Sequence, residues 1–112
     1  MGEKGTRQSA AGSQACAQLL ADLAPLGEVS TRKMFGGFGV FADGVMFAIV
    51  DTFGDCFLRA DRTTEDEFSA AGSGRHGRMP YWQIPAPVRR DRAALLAWAR
   101  NALDVARRAA HR

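Results

Sequence analysis

The side chains able to do covalent or metal chemistry are few in this sequence. There are two cysteines, Cys16 and Cys56, and two histidines, His76 and His111. No Cys-x-x-Cys is present and no histidine pair stands at metal-ligand spacing, so no metal centre is expected. Cys56 and His76 would make a thiol–imidazole pair if the fold brought them together, but a lone strand cysteine ordinarily acts as a small core residue. The acids Asp61, Glu65, Asp66 and Glu67 cluster where a helix should begin, and capping and dipole effects account for them there. No catalytic set emerges and no cofactor is expected, so the residues argue against an enzyme.

Gly36-Gly37-Phe38-Gly39 has the look of a phosphate loop. A phosphate cradle needs its glycines to lead into a helix N-terminus, where free N–H groups face the anion. Here they lead into a strand, so the expected role is a bulge or a close backbone approach. A small-ligand site at this Gly-rich hairpin stays open as an alternative. Gly37-Phe38-Gly39-Val40-Phe41 also partly matches an RNA-binding strand motif, whose aromatics stack bases. Phe38 and Phe41 point to opposite faces of a strand and cannot form one platform.

Charge is the other chemical resource. The chain carries 13 Arg and 2 Lys against 12 acids, for a net +3. Seven of the arginines fall in the segment Arg89–Arg112, opposed only by Asp91 and Asp104. Arg100, Arg107 and Arg108 would share one arc of a C-terminal helix and are the candidate contacts to an anion or nucleic acid. Asp104 interrupts that arc, and apart from Asn101 no amide side chain accompanies it to read bases. The expectation is weak nucleic-acid binding at most.

These residues need elements to place them. Cys16, Leu19, Leu20 and Leu23 repeat at i, i+3, i+4 and i+7, which predicts an amphipathic helix over Ser13–Ala24, capped by Ser13 and ended by Pro25. Strands follow at Val29–Phe35, Phe38–Ala42 and Val45–Val50, the last two joined by Asp43-Gly44, the pair a type I′ turn prefers. A two-residue turn sets Ala42 opposite Val45, Val40 opposite Phe47 and Phe38 opposite Ile49 on one core face. Gly39 then faces Ala48, and Phe41 faces Met46, on the other. Cys56–Ala60 is a fourth strand. The capping box Thr64-Glu65-Asp66-Glu67 starts a short helix ending at Gly72, and Met79–Ile84 is a fifth strand. Pro85 and Pro87 read as a stiff extended connection, and Asp91 caps a long helix over Arg92–Ala109. The fold class is therefore α+β, a two-layer sandwich of a mainly antiparallel sheet with helices at both chain ends, in the order α-β-β-β-β-α-β-α.

At 112 residues and 46% hydrophobic composition, the chain suits one domain, expected over residues 13–110 after a flexible tail over 1–12. No apolar run is long enough for a membrane span, and the start lacks a signal-peptide pattern. Scarce cysteines fit a reducing cytoplasm. Gly2 and Thr6 match a myristoylation pattern, a short one often met by chance. Because the Phe41 and Met46 side of the hairpin is as apolar as the core side, something should cover it. Gly39, Phe41, Met46 and Ala48 are thus the candidate interface for a protein partner or a second copy.

The run Met34-Phe35-Gly36-Gly37-Phe38-Gly39-Val40-Phe41, followed by Asp43-Gly44-Val45-Met46-Phe47-Ala48, resembles the TfoX (Sxy) N-terminal domain family. The resemblance extends through Leu58-Arg59, Gly72, Met79-Pro80-Tyr81-Trp82-Gln83-Ile84-Pro85 and Leu95-Leu96-Ala97-Trp98-Ala99-Arg100-Asn101-Ala102-Leu103. It implies a two-layer sandwich and a regulatory, non-enzymatic role. Members of this family are linked to control of bacterial competence genes, as coactivators beside a DNA-bound transcription factor. It implies no catalytic or ligand residues. The Ser73–Arg78 loop is shorter than the family pattern and lacks the aromatic that often precedes the fifth strand.

Overall fold

The computed structural model describes residues 9–34 and 36–111. Of the tail expected over residues 1–12, residues 1–8 lie outside them, as does the Gly2/Thr6 pattern, and residues 10–12 are helical. Helix α1 spans Ala10–Asp22 and starts three residues before Ser13, because Ser9 is the cap: its hydroxyl accepts from the Gly12 amide at 2.9 Å. The same hydroxyl donates to the Thr52 carbonyl at 2.5 Å, tying the helix start to a distant turn. A 3₁₀ turn follows at Ala24–Leu26. Strands β1 (Ser30–Met34), β2 (Gly37–Ala42), β3 (Val45–Val50) and β4 (Cys56–Arg59) come next. Then follow α2 (Glu65–Ala70), β5 (Tyr81–Gln83), α3 (Ala86–Arg90) and α4 (Arg92–Ala110). The strands form one antiparallel sheet in the order β1-β2-β3-β4-β5. The expected α+β architecture, with helices at both ends, is the one observed.

Two local expectations fail for clear reasons. Pro85 and Pro87 do not hold an extended link but open α3, since proline suits a first helical turn whose N–H groups have no partner. The capping box at Thr64 does not form. The Thr64 hydroxyl accepts instead from the Asp61 amide at 3.1 Å, in a turn that Asp61 organises through Thr63.

The β2–β3 hairpin turns as expected at Asp43 (φ 54°) and Gly44 (φ 78°), both in the left-handed region a type I′ turn requires. Ala42 faces Val45 and Phe41 faces Met46, but the register then shifts by a β-bulge. Beyond it Val40 pairs with Ala48, Gly39 with Ile49 and Phe38 with Val50. The pairings Val40–Phe47, Phe38–Ile49 and Gly39–Ala48 are therefore corrected. Phe47 is the extra residue of the bulge and joins Ala48 in the helix-side core, while Ile49 moves to the opposite face. The close approach foreseen for the glycines occurs at Gly37, where a Cβ would lie 2.1 Å from the Val50 carbonyl oxygen.

The main core lies between the sheet and the helices. Leu19 and Leu23 of α1, Phe68 of α2, Val88 of α3 and Leu95, Ala99 and Leu103 of α4 pack on Val40, Phe47, Val50 and Leu58. Phe68 meets Trp98 edge-on with ring centroids 4.9 Å apart. At the rim, Arg89 of α3 donates to Asp22 of α1 at 2.7 Å, with Arg92 at 3.6 Å from the same carboxylate. This contact holds the Asp22 carboxyl below its ordinary range, the Arg89 hydrogen bond being the largest cause.

Phe47→Ala removes a fully buried ring and should cost about 3–5 kcal/mol in urea unfolding. Phe53→Ala, at 79% exposure, should stay within about 0.5 kcal/mol of wild type. Comparable losses in the two would contradict the described core. Asp22 has a lowered native pKa, so its contribution is present above the unfolded carboxyl value of about 3.9 and lost as pH falls through the native one. Stability curves of wild type and Asp22→Asn should therefore differ at pH 6 and converge as the pH falls through the native Asp22 value. A constant gap would show that the loss is one of packing alone.

Candidate functional site

All helices sit on one face of the sheet. The second core cluster, on the other face, consists of Ile49, Phe57 and Tyr81, with Met46 and Met79 packed against them and no helical residue among them. The segment before β5 folds partly over this face: His76 meets Phe57 edge-on at 4.7 Å between ring centroids. Tyr81 donates its hydroxyl to the Met46 carbonyl at 3.1 Å, reaching from β5 past β4 to the bulged strand. Burial pushes the Tyr81 phenol above its ordinary pKa, and Arg59 beside it partly offsets the rise.

What remains open on this face is half-buried and apolar. Met34, Phe41, Met46 and Met79 are each of intermediate exposure. Three of the four methionines in the sequence lie here. Thioether side chains fill irregular space and re-pack easily, which suits a surface that adapts to a partner. A Cβ on Gly39 would lie 2.6 Å from the Met46 sulfur and 3.1 Å from the Met34 sulfur, so glycine there makes room for both. The space beside Gly39 is thus filled by the chain's own methionines.

The charged side chains that the strands place on this face are arginines. Sheet pairing places Ser30, Arg32 and Met34 of β1 on it with Gly37, Gly39 and Phe41, and Arg59 with Tyr81. Arg32 stacks over Phe41 at 4.8 Å and Arg59 over Tyr81 at 5.7 Å from the ring centroids. Buried Arg59 Nε has no hydrogen-bond partner among the described residues. Asp51 reaches the rim, but its carboxylate accepts from the Phe53 and Asp55 amides at 2.9 and 2.8 Å.

Of the residues expected at the interface, Gly39, Phe41 and Met46 share this face. Ala48 does not: the bulge turns it into the helix-side core, where it is fully buried. Sequence reasoning passed over Arg32, Met34, Arg59 and Met79. The available signal was the alternation Ser30, Arg32, Met34, which puts the cation and the thioether on one side of an edge strand.

The other candidates come apart. Cys56 and His76 do not meet, since Cys56 packs in the helix-side core and His76 covers Phe57 on the opposite face. Cys56 borders a cleft of about 410 Å³ with Ser73, Gln83, Arg89 and Arg90, but burial pushes its thiol pKa up, more than Arg89 lowers it. The cavity beside Gly37 holds only about 80 Å³, well under the several hundred of a usual ligand pocket. Among the described residues no three His, Cys, Asp or Glu gather closely enough to hold a metal, and no helix is long and apolar enough to cross a membrane.

The C-terminal arginines are largely neutralised. Arg107 ion-pairs with Asp43 of the hairpin turn and with Asp104 at 3.3 Å. Arg108 reaches Asp61 at 3.3 Å. Asp61 is held below the ordinary carboxyl range, first by the Thr63 hydroxyl and further by its amide and by Arg108. Only Arg100 of the three has no ion pair among the described residues. Titration of labelled duplexes should therefore give at most sequence-independent binding of about 10⁻⁴–10⁻⁶ M that weakens with salt. Tight binding of one sequence, surviving raised salt and lost in Arg100→Glu with Arg107→Glu, would overturn this.

None of the curated proteins compared with the chain matches it. The TfoX N-terminal domain model matches residues 21–106, from the last turn of α1 into the closing turns of α4. That span takes in the whole sheet, the Gly-rich hairpin, α2, α3 and most of α4, and the chain belongs to the TfoX N-terminal domain family.

Proposed function

We propose that this chain is a non-enzymatic regulatory domain of the cytoplasm that acts by protein contact, in the manner of a transcriptional coactivator of the competence-regulator type. One observation carries the reading. The helices cover one sheet face, and the other keeps Met34, Phe41, Met46 and Met79 half-exposed among arginines. A soluble domain rarely leaves such a surface without a use, and adaptable thioethers fit a protein partner better than a single rigid ligand. Two aromatics of this face favour protein over nucleic acid as well. Phe57 and Tyr81 are 7% and 2% exposed, too covered to stack bases. Family membership supports the regulatory role through what the resemblance implies, a partner that is itself a DNA-bound transcription factor.

Site-specific photo-crosslinking in cells tests the reading. A crosslinking residue placed at Phe41 or Met46 should trap a discrete protein adduct, unaffected by nuclease, while one at Arg100 should not. Adducts only at Arg100, lost on nuclease treatment, would favour nucleic-acid contact through α4 instead.

A further inference from the structure

The two edges of the sheet are finished differently. Beyond β5, the preceding loop acts as a short extra strand: Gln83 donates its amide to the Gly74 carbonyl and the His76 amide donates to Tyr81, both at 2.8 Å, with Arg75 bridged to Trp82. That edge is closed. Beyond β1, none of the described residues pairs with the outer side of the strand. Ser30, Thr31, Arg32 and Lys33 are all exposed. An edge strand of this kind presents alternate N–H and C=O groups ready to pair with another extended chain.

We propose that the outer edge of β1 accepts an extended acidic segment of a partner protein as a sixth strand. The proposal rests on the protein-contact reading and adds the partner's chemistry. Charge decides the occupant. A second copy pairing antiparallel over the whole strand would set Arg32 against Arg32 and Thr31 against Lys33, and like charges directly opposite one another oppose pairing. An acidic strand meets the reverse situation. Successive side chains of an added strand point to opposite faces, so two consecutive acids reach Arg32 on the helix-free side and Lys33 on the helix side. The guanidinium of Arg32 already stands over the Phe41 ring, so less freedom is lost when a carboxylate binds it. The next position on the Arg32 side falls beside Met34, which calls for an apolar residue. A groove of about 570 Å³ at the start of β1, bordered by Val29, Ser30, Arg32 and Phe41, leaves space for the end of the added chain. Glu28 and Asp43 also border that groove; Asp43 is engaged by Arg107, so Glu28 is the acid that disfavours further negative charge there.

The test uses the full chain, isotope-labelled, and a capped peptide with a central Glu-Asp pair flanked by alternating Val and Thr. Binding should slow hydrogen exchange at outward-facing amides of residues 30–34 by about tenfold or more at saturation. A Lys-Lys peptide should do nothing. Arg32→Glu with Lys33→Glu, both on exposed side chains, should keep the wild-type melting temperature and reverse the peptide preference. Equal binding of both peptides, no protection of β1, dimerisation through β1, or tighter binding of an oligothymidylate at the same amides would each overturn the proposal. Crosslinks at Met46 that persist in cells in the double variant would sink edge addition while leaving the protein-contact reading intact.

Discussion

The structure depends on one irregularity, the bulge that places Phe47 between the pairs Val40–Ala48 and Phe41–Met46. β3 is six apolar residues in a row, and a regular strand must send alternate ones to opposite faces. With the bulge, Phe47, Ala48 and Val50 all enter the helix-side core, while Met46 and Ile49 stand on the other side. Phe47 would face the helices in a regular strand too; the shift adds Ala48 and Val50 to that core and sends Ile49 to the other face. The cost is a locally disrupted ladder. The Tyr81 hydroxyl, donated to the Met46 carbonyl, offsets part of it.

The character of the open face follows from the same shift. It sets Ile49 opposite Gly39, whose absent side chain admits the sulfurs of Met46 and Met34. A regular register would have placed Ala48 there instead. Arginines stack on the aromatics of this face, and the acids gather elsewhere, on α2 and in the turns. The helix layer is nearly balanced by comparison: Asp43, Asp61 and Asp104 meet the arginines of α4, and Asp22 meets Arg89. Within that basic stretch, exposed Arg90 and Arg100 are the arginines without an ion pair among the described residues.

Most of the architecture was legible in residue order. Asp43-Gly44 announced its turn, the stripe from Leu95 to Ala106 its buried helix face, and Pro25 the end of α1. The bulge was not legible, because Val45–Val50 is apolar throughout and offers no alternation to pin the register. A slip of one residue exchanged the faces of Ala48 and Ile49, and with them one member of the candidate interface. Ser13 was the cap expected from the local pattern, and the tertiary bond from Ser9 to Thr52, which has no local signal, accompanies a cap at Ser9 instead. The pairing of Arg107 with Asp43 joins residues far apart in sequence, so the neutralisation of the C-terminal arginines had no local signal.

A face open in the isolated chain and covered in the cell is the central claim, and its own methionines report on it. Oxidative footprinting of Met34, Met46 and Met79 compares the purified protein with the same protein inside the cell. All three should oxidise readily when purified, and in the cell Met34 and Met46 should be protected by about tenfold beyond the protection expected of a crowded but unbound surface. Equal oxidation in the two settings, after correction by an exposed control such as Phe53, would mean that nothing covers this face and would contradict the account.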